Sequence, residues 1–352
     1  MKNRIKRQHY LSRSYLESFS IRTKKKDLLW VCDAKKRWRI SRPENEAFEN
    51  DFQSLVDEEG NKSDALETTL SPIEGDFKTL IRQIEKTKCL PQNQKQLGTL
   101  LSIMGLFAIR IPRIRERLKQ FSSGLIENTI NFLLKDKVRF EAQIAKAYKD
   151  GYLEKDTISY ENLVSFHQEK KYILKHDHMA LLENLFKKAA LIIDYLSLRN
   201  WMVVEAPGPL LITSSKPVNP FWTSSFPFHL RKKISFIDPK SFPPSDTAFY
   251  IPYNEPTDMF PSFLPGFLTT HSIIVFPLTP SLALIGSWSP LPPYGKIDYC
   301  TAQAINWITA NSDADNVYSP EKLAPLPWNS SFAPFLQEYH IHLGSRLITY
   351  KN

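Results

Sequence analysis

The sequence predicts an α+β protein: a basic N-terminal β-hairpin and a helical bundle, followed by a proline-rich region on a mixed or antiparallel sheet. Three observations carry that prediction. Apolar residues recur at three- and four-residue intervals through much of residues 63–200, the mark of amphipathic helices. Four prolines fall in residues 1–204 and 21 in the last 148, and a segment so rich in fixed φ and missing N–H donors cannot be mostly helix. Runs with strand character stand near the N-terminus and again after residue 200.

In chain order, Tyr10, Leu11, Tyr15, Leu16 and Phe19 approximate helical spacing and predict a short helix or an extended arm. Leu28 to Asp33 and Trp38 to Ser41 predict strands joined by the basic turn Ala34 to Arg37. Leu66, Leu70, Ile73, Phe77, Leu80, Ile81 and Ile84 predict a helix from Ser63 to Lys86. Within it, Ser71 to Glu74 and Asp64 to Glu67 have the form of capping boxes. A second helix runs from Gln94 to Phe121, and Pro112 should kink or end it. Others are expected from Leu125 to Tyr148 and from His178 to Ser197. Strands follow at Trp201 to Glu205, Leu210 to Thr213, Ala248 to Pro252 and Ile273 to Ile285, the last turning at Pro277 to Ser281. Thr301 to Ser312 reads as a closing helix, and the tail with Tyr339, His340, His342 and Ile348 to Tyr350 as an edge strand. The parts are 1–62, an arm and hairpin; 63–200, helical; and 201–352, β-containing and packed with the N-terminal part as one unit.

At 352 residues, 42% hydrophobic and 24% charged, the chain is neither a mini-protein nor largely disordered. No apolar run reaches the roughly 18 residues of a membrane span; Ile273 to Ile285 is cut by Pro277 and Pro280. The basic opening lacks the apolar stretch of a secretory signal, so a cytoplasmic location is expected. Cys32, Cys89 and Cys300 are odd in number and widely spaced, unlike a disulfide framework or a zinc site.

The net charge of +9 is concentrated: residues 1–42 hold 14 Lys and Arg against three acids, the remainder 32 against 34. Such a block draws polyanions by its summed field and by counterion release, so nucleic acid is an expected partner, tracked by Lys24, Lys25, Lys26, Lys35, Lys36 and Arg37. A solvated hairpin that keeps the protein soluble is the alternative.

Glycine-rich phosphate loops and nucleophile elbows are absent. His9 lies inside the basic block beside Tyr10, placed to move a proton near a phosphate or simply to pack. Glu67 and Glu74, seven apart on one helical face, suit paired carboxylates or a divalent ion, or else capping and ion pairing. Arg110 and Arg113 bracket Pro112, where guanidiniums can fork onto phosphate or pair with Glu67 or Glu74. His176 and His178 read as a surface pair. Ser214, Ser215 and Lys216 follow an apolar run, as loop residues of a site often do, and equally form a plain turn before Pro217.

Together these phrases resemble a large bacterial family known only as a domain of unknown function, whose members open with an HYxPxFxLxxF-like signature. Here that opening is His9 to Phe19, and the similarity continues through LLWVCD, LETTLSPIE, RIPRIRE, LITSSKPV, FPLTPSLALIG and NWITANSDADNVYS. Ser12 stands where the family usually has proline, and Ser215 where a TSDxPV phrase commonly has aspartate. The resemblance implies one constellation of residues and no named reaction.

The expected function is a phosphodiesterase-type nuclease, used as a toxin or an anti-phage effector. His9 would transfer a proton, Glu67 and Glu74 would act as base or metal ligands, and Arg110 and Arg113 would stabilise charge on phosphate, with Ser215 in the same site. A divalent metal is an open cofactor, and a regulatory protein partner is open as well. The alternative is a non-catalytic module sensing nucleic acid or protein, in which the His, Glu and Arg set is structural. A small-molecule hydrolase or transferase using Ser214, Ser215 and Lys216 ranks last.

Overall fold

The protein is described by a computed structural model covering residues 4–24, 26–153, 159–170, 172–222, 266–269, 272–312 and 314–322. Two units make up the chain: residues 1–111 with 185–352, and residues 112–184. They cut across the composition boundaries, because residues 63–111 belong with the N-terminal hairpin and the C-terminal sheet.

The larger unit begins with β1 (Arg7–His9), paired antiparallel with β5 (Phe48–Asn50) so that His9 faces Phe48. Helix α1 (Arg13–Glu17) follows, with Ser12 as N-cap accepting the Tyr15 N–H. The φ of Ser12 is −60°, a value proline also adopts. Next come β2 (Ile21–Arg22), β3 (Asp27–Asp33) and β4 (Trp38–Ser41), the last two forming the expected hairpin. The hairpin does not stand alone. Strand β14 (Asn316–Ser319) pairs antiparallel with β3, and β9 (Thr213–Ser214) pairs with β14. Between β5 and the helices lies a two-stranded ribbon of β6 (Leu55–Val56) and β7 (Lys62–Ser63).

Helix α2 (Ala65–Thr87) buries Leu70, Phe77, Leu80, Ile81 and Ile84, the stripe that the spacing predicts. It runs through Pro72, so the capping box expected at Ser71 is not formed. Asp64 makes no side-chain cap either; its Oδ2 accepts the Ile5 N–H instead. Helix α3 (Gln94–Ile109) ends three residues before Pro112 rather than continuing to Phe121, because the residue before a proline is disfavoured in the α region.

The second sheet of the larger unit is mixed. It contains β8 (Asn200–Glu205), β10 (Asn219–Trp222), β11 (Ser272–Thr279), β12 (Leu282–Ser287) and β13 (Tyr294–Lys296), in the order β10-β11-β12-β8-β13. Only the β13 to β8 pairing is parallel. The β11 register shifts between Pro277 and Thr279, as a proline lacking an N–H requires. Leu210 to Ile212 form no strand; Asn306 of the closing helix α8 (Tyr299–Ala310) holds this segment by bonding the Leu210 carbonyl at 2.8 Å and the Ile212 N–H at 3.0 Å. The strands expected at Ala248 to Pro252 and in the tail lie outside the described residues.

Tyr15, Phe77, Phe107 and Phe276 meet at the centre of this unit, with Tyr15 5.2 Å from Phe107 and 5.5 Å from Phe276 between ring centroids. Tyr15 is fully buried, and its hydroxyl lies 2.6 Å from Thr213 Oγ1 and donates to the Pro277 carbonyl at 2.7 Å. One side chain of the N-terminal signature therefore ties α1 to the C-terminal sheet.

The smaller unit consists of α4 (Pro112–Leu134), α5 (Lys137–Lys149), α6 (Tyr160–Gln168) and the first residues of α7 (His178–Ser197). The single helix expected from Leu125 to Tyr148 is broken because Asp136 caps α5, accepting the N–H groups of Val138 and Arg139. Phe140 is buried against Tyr160 at 5.4 Å, joining α5 to the unanticipated α6.

Candidate functional site

Four of the six residues expected to carry chemistry gather around one guanidinium. Arg110, at the end of α3, is only 2% exposed; its Nη1 donates to Glu74 Oε1 at 3.0 Å and its Nη2 to the His9 carbonyl at 2.7 Å. Glu67 Oε2 lies 4.0 Å from the same Nη2. The seven-residue spacing on α2 thus places both carboxylates about one cation, and the buried arginine is stabilised by the pair it bridges.

A polar shell completes the arrangement. Gln53 Nε2 donates to Glu67 Oε2 at 3.2 Å, and the Gln53 N–H donates to Gln8 Oε1 at 2.5 Å. Gln8 Nε2 returns to the Ile5 carbonyl and the Ser54 hydroxyl. Neither glutamine was singled out from the sequence; the only signal was that Gln8 adjoins His9.

The His9 ring donates to the Glu44 carbonyl, while its Nε2 is buried with no hydrogen-bond partner among the described residues. Burial, opposed by the Glu44 bond and reinforced by Arg7, Arg13 and Arg110, pulls the imidazole below its ordinary value. The ring is neutral at pH 7, with Nδ1–H directed to Glu44 and Nε2 left as an acceptor. Glu67 moves the other way: burial raises its carboxyl, Arg110 lowers it, and Glu74 raises it. An imidazole shifted down and a carboxyl shifted up are the two directions that acid–base chemistry uses.

Arg113 belongs to the smaller unit. Ser215 is fully buried, and its Oγ accepts the N–H groups of Asp315 and Asn316 at 2.8 and 3.2 Å. These bonds join Ser215 to the turn before β14. Two backbone N–H donors converging on one oxygen would also suit a carboxylate. Ser214 and Lys216 likewise turn inward: the Ser214 hydroxyl donates to the Lys216 carbonyl and Lys216 Nζ to the Ser312 carbonyl.

The basic residues occupy two turns at opposite ends of β3. Lys24 and Lys26 are exposed between β2 and β3; Lys35, Lys36 and Arg37 are exposed between β3 and β4. Seven residues of strand separate the turns, roughly 23 Å. Lys25 lies outside the described residues. Arg37 pairs with Asp33 at 2.7 Å, and the Asp33 carboxylate also accepts the N–H groups of Lys35 and Arg37, which holds it below the usual carboxylate range. Part of this block therefore shapes its own turn.

Among the described residues, no group of three or more His, Cys, Asp and Glu side chains is placed to hold a metal ion, and no single helix is long and apolar enough to cross a membrane. The fold is α+β, with His9, Glu67 and Glu74 grouped about the buried Arg110. The chain belongs to a protein family of unknown function, DUF4238, which it matches over residues 7–322. No curated protein and no solved structure matches it.

Proposed function

We propose that the protein cleaves nucleic acid as a phosphodiesterase, with His9 as the proton-transferring group. The observation that carries this reading is the His9 imidazole itself: neutral among three arginines, with a buried Nε2 that no described group satisfies. Buried polar atoms in folded proteins are overwhelmingly paired, and exceptions concentrate where chemistry uses them. Arg7 and Arg13 are exposed beside it and supply charge for a phosphodiester. Glu67, protonated more readily than a free carboxyl, is the complementary acid. Arg110 and Glu74 are positioning residues, since both terminal nitrogens of the guanidinium donate to groups of the protein.

The bonds of Arg110 to Glu74 and the His9 carbonyl also favour the second reading, a module that binds nucleic acid or a protein without cleaving and uses the cluster as a brace. The test is incubation of the purified chain with mixed RNA and DNA, with and without EDTA, beside the His9→Ala variant. Cleavage lost in His9→Ala with an unchanged melting temperature supports the enzyme. Intact substrate under every condition, with retained binding in a gel-shift assay, supports the module. The EDTA arm decides whether a divalent ion takes part. For the toxin or anti-phage role, induced expression in bacteria should slow growth, and His9→Ala should relieve it.

A further inference from the structure

Helix α4 presents Glu116, Lys119, Gln120, Ser123 and Glu127 at the spacing of one helical face. They line an open cleft of about 560 Å³ in the smaller unit, together with Leu174 and His176. That volume is within the range of small-molecule sites. Leu174 is the one apolar side chain among the lining residues. In the cleft, Ser123 Oγ lies 2.9 Å from His176 Nε2. Hydroxyls within helices commonly bond the carbonyl one turn back; here Thr68, Thr69, Thr87, Thr99 and Thr129 all do so. Ser123 turns its hydroxyl to an imidazole instead, in a half-buried setting that a small molecule can reach.

We propose that Ser123 and His176 form a nucleophile and base pair that hydrolyses small polar esters. With His176 as the Nδ1–H tautomer, Nε2 accepts the Ser123 proton. Ser123 Oγ bonds to the ester carbonyl carbon, the bond from that carbon to the leaving oxygen breaks, and the proton on Nε2 passes to the departing alkoxide. Water then repeats the sequence on the acyl-serine, giving acid and restoring the hydroxyl. Lys119 and Gln120, one turn before Ser123 on the same face, supply N–H donors to the oxyanion of the tetrahedral intermediate. This centre is independent of the one proposed at His9, being built from the smaller unit alone.

The test treats the full chain with a fluorophosphonate probe and locates the adduct by peptide mass spectrometry, beside Ser123→Ala, His176→Gln and His178→Gln. The expected result is an adduct on Ser123, absent from Ser123→Ala, slowed about 100-fold in His176→Gln and unchanged in His178→Gln. Circular dichroism of each variant separates loss of reactivity from loss of fold. No adduct on the native chain, an adduct retained in Ser123→Ala, or equal slowing by His178→Gln would overturn the proposal.

Discussion

Arg110 Nη2 donates to the main-chain carbonyl of His9 across 101 residues of sequence. The bond fixes the backbone of β1 to the end of α3, and through Glu74 the same guanidinium fixes α2. The imidazole orientation is therefore set by the hold of Arg110 on the main chain of His9 itself and by Glu44, whichever chemistry it performs. An arginine placed this way is a brace whose loss is felt in the fold before it is felt in any reaction.

Replacing Arg110 by alanine should accordingly destabilise the larger unit by about 1–3 kcal/mol, because it removes the partner of the half-buried Glu74 carboxylate and the donor to the His9 carbonyl. Arg110→Lys restores charge but cannot reach Glu74 and the His9 carbonyl with one fork; it should recover less than half of the loss. Urea unfolding followed by tryptophan fluorescence measures both. An Arg110→Ala midpoint equal to that of the native chain would show that the brace contributes nothing.

Stability should fall as the pH drops below the ordinary imidazole value of 6.5, because the unfolded chain then takes up a proton that His9 in the fold resists. Glu67 acts in the opposite sense. Its folded carboxyl holds a proton above the ordinary value of 4.5, so its contribution is complete below that value and is lost as the pH rises through the raised one. The histidine contribution declines from about pH 7.5 down to its lowered folded value. His9→Gln should flatten the decline in urea midpoint over that interval, and an unchanged slope would place the uptake elsewhere.

Helix α2 was legible because its apolar stripe is local: Phe77, Leu80, Ile81 and Ile84 are buried where the spacing put them. The α3 terminus followed from Pro112. The partners of the hairpin were hidden, since the pairing of Val317 with Cys32 joins residues nearly three hundred apart and leaves no mark in either segment. For the site, the convergence of His9, Glu67, Glu74 and Arg110 was visible as residue types and helical spacing. The separate fates of Arg113 and Ser215 were not, because a unit boundary and a pair of backbone N–H donors depend on tertiary structure.

Tyr15→Phe tests the tie between the N-terminal signature and the sheet. It removes the donor to the Pro277 carbonyl and the partner of Thr213 Oγ1, both buried. Leaving such groups unsatisfied costs about 1–3 kcal/mol. The packing against Phe107 and Phe276 is retained, so the loss reads the hydroxyl alone. Differential scanning calorimetry should show a lowered melting temperature; a value within error of the native one would mean that the hydroxyl contributes no net stability.

Ser215 offers the sharpest separation of a structural role from a catalytic one. Its Oγ accepts two N–H groups from the turn before β14, so Ser215→Ala should lower stability by about 1–2 kcal/mol through two lost acceptor bonds. Ser215→Asp places a carboxylate oxygen where both N–H groups already point, and charge-assisted bonds are the stronger kind. It should fold with a urea midpoint at or above that of Ser215→Ala. Neither change touches His9, so any nuclease activity per folded molecule should be the same in both variants as in the native chain. A gain or loss of turnover in Ser215→Asp at constant folded fraction would instead return this position to the reacting site.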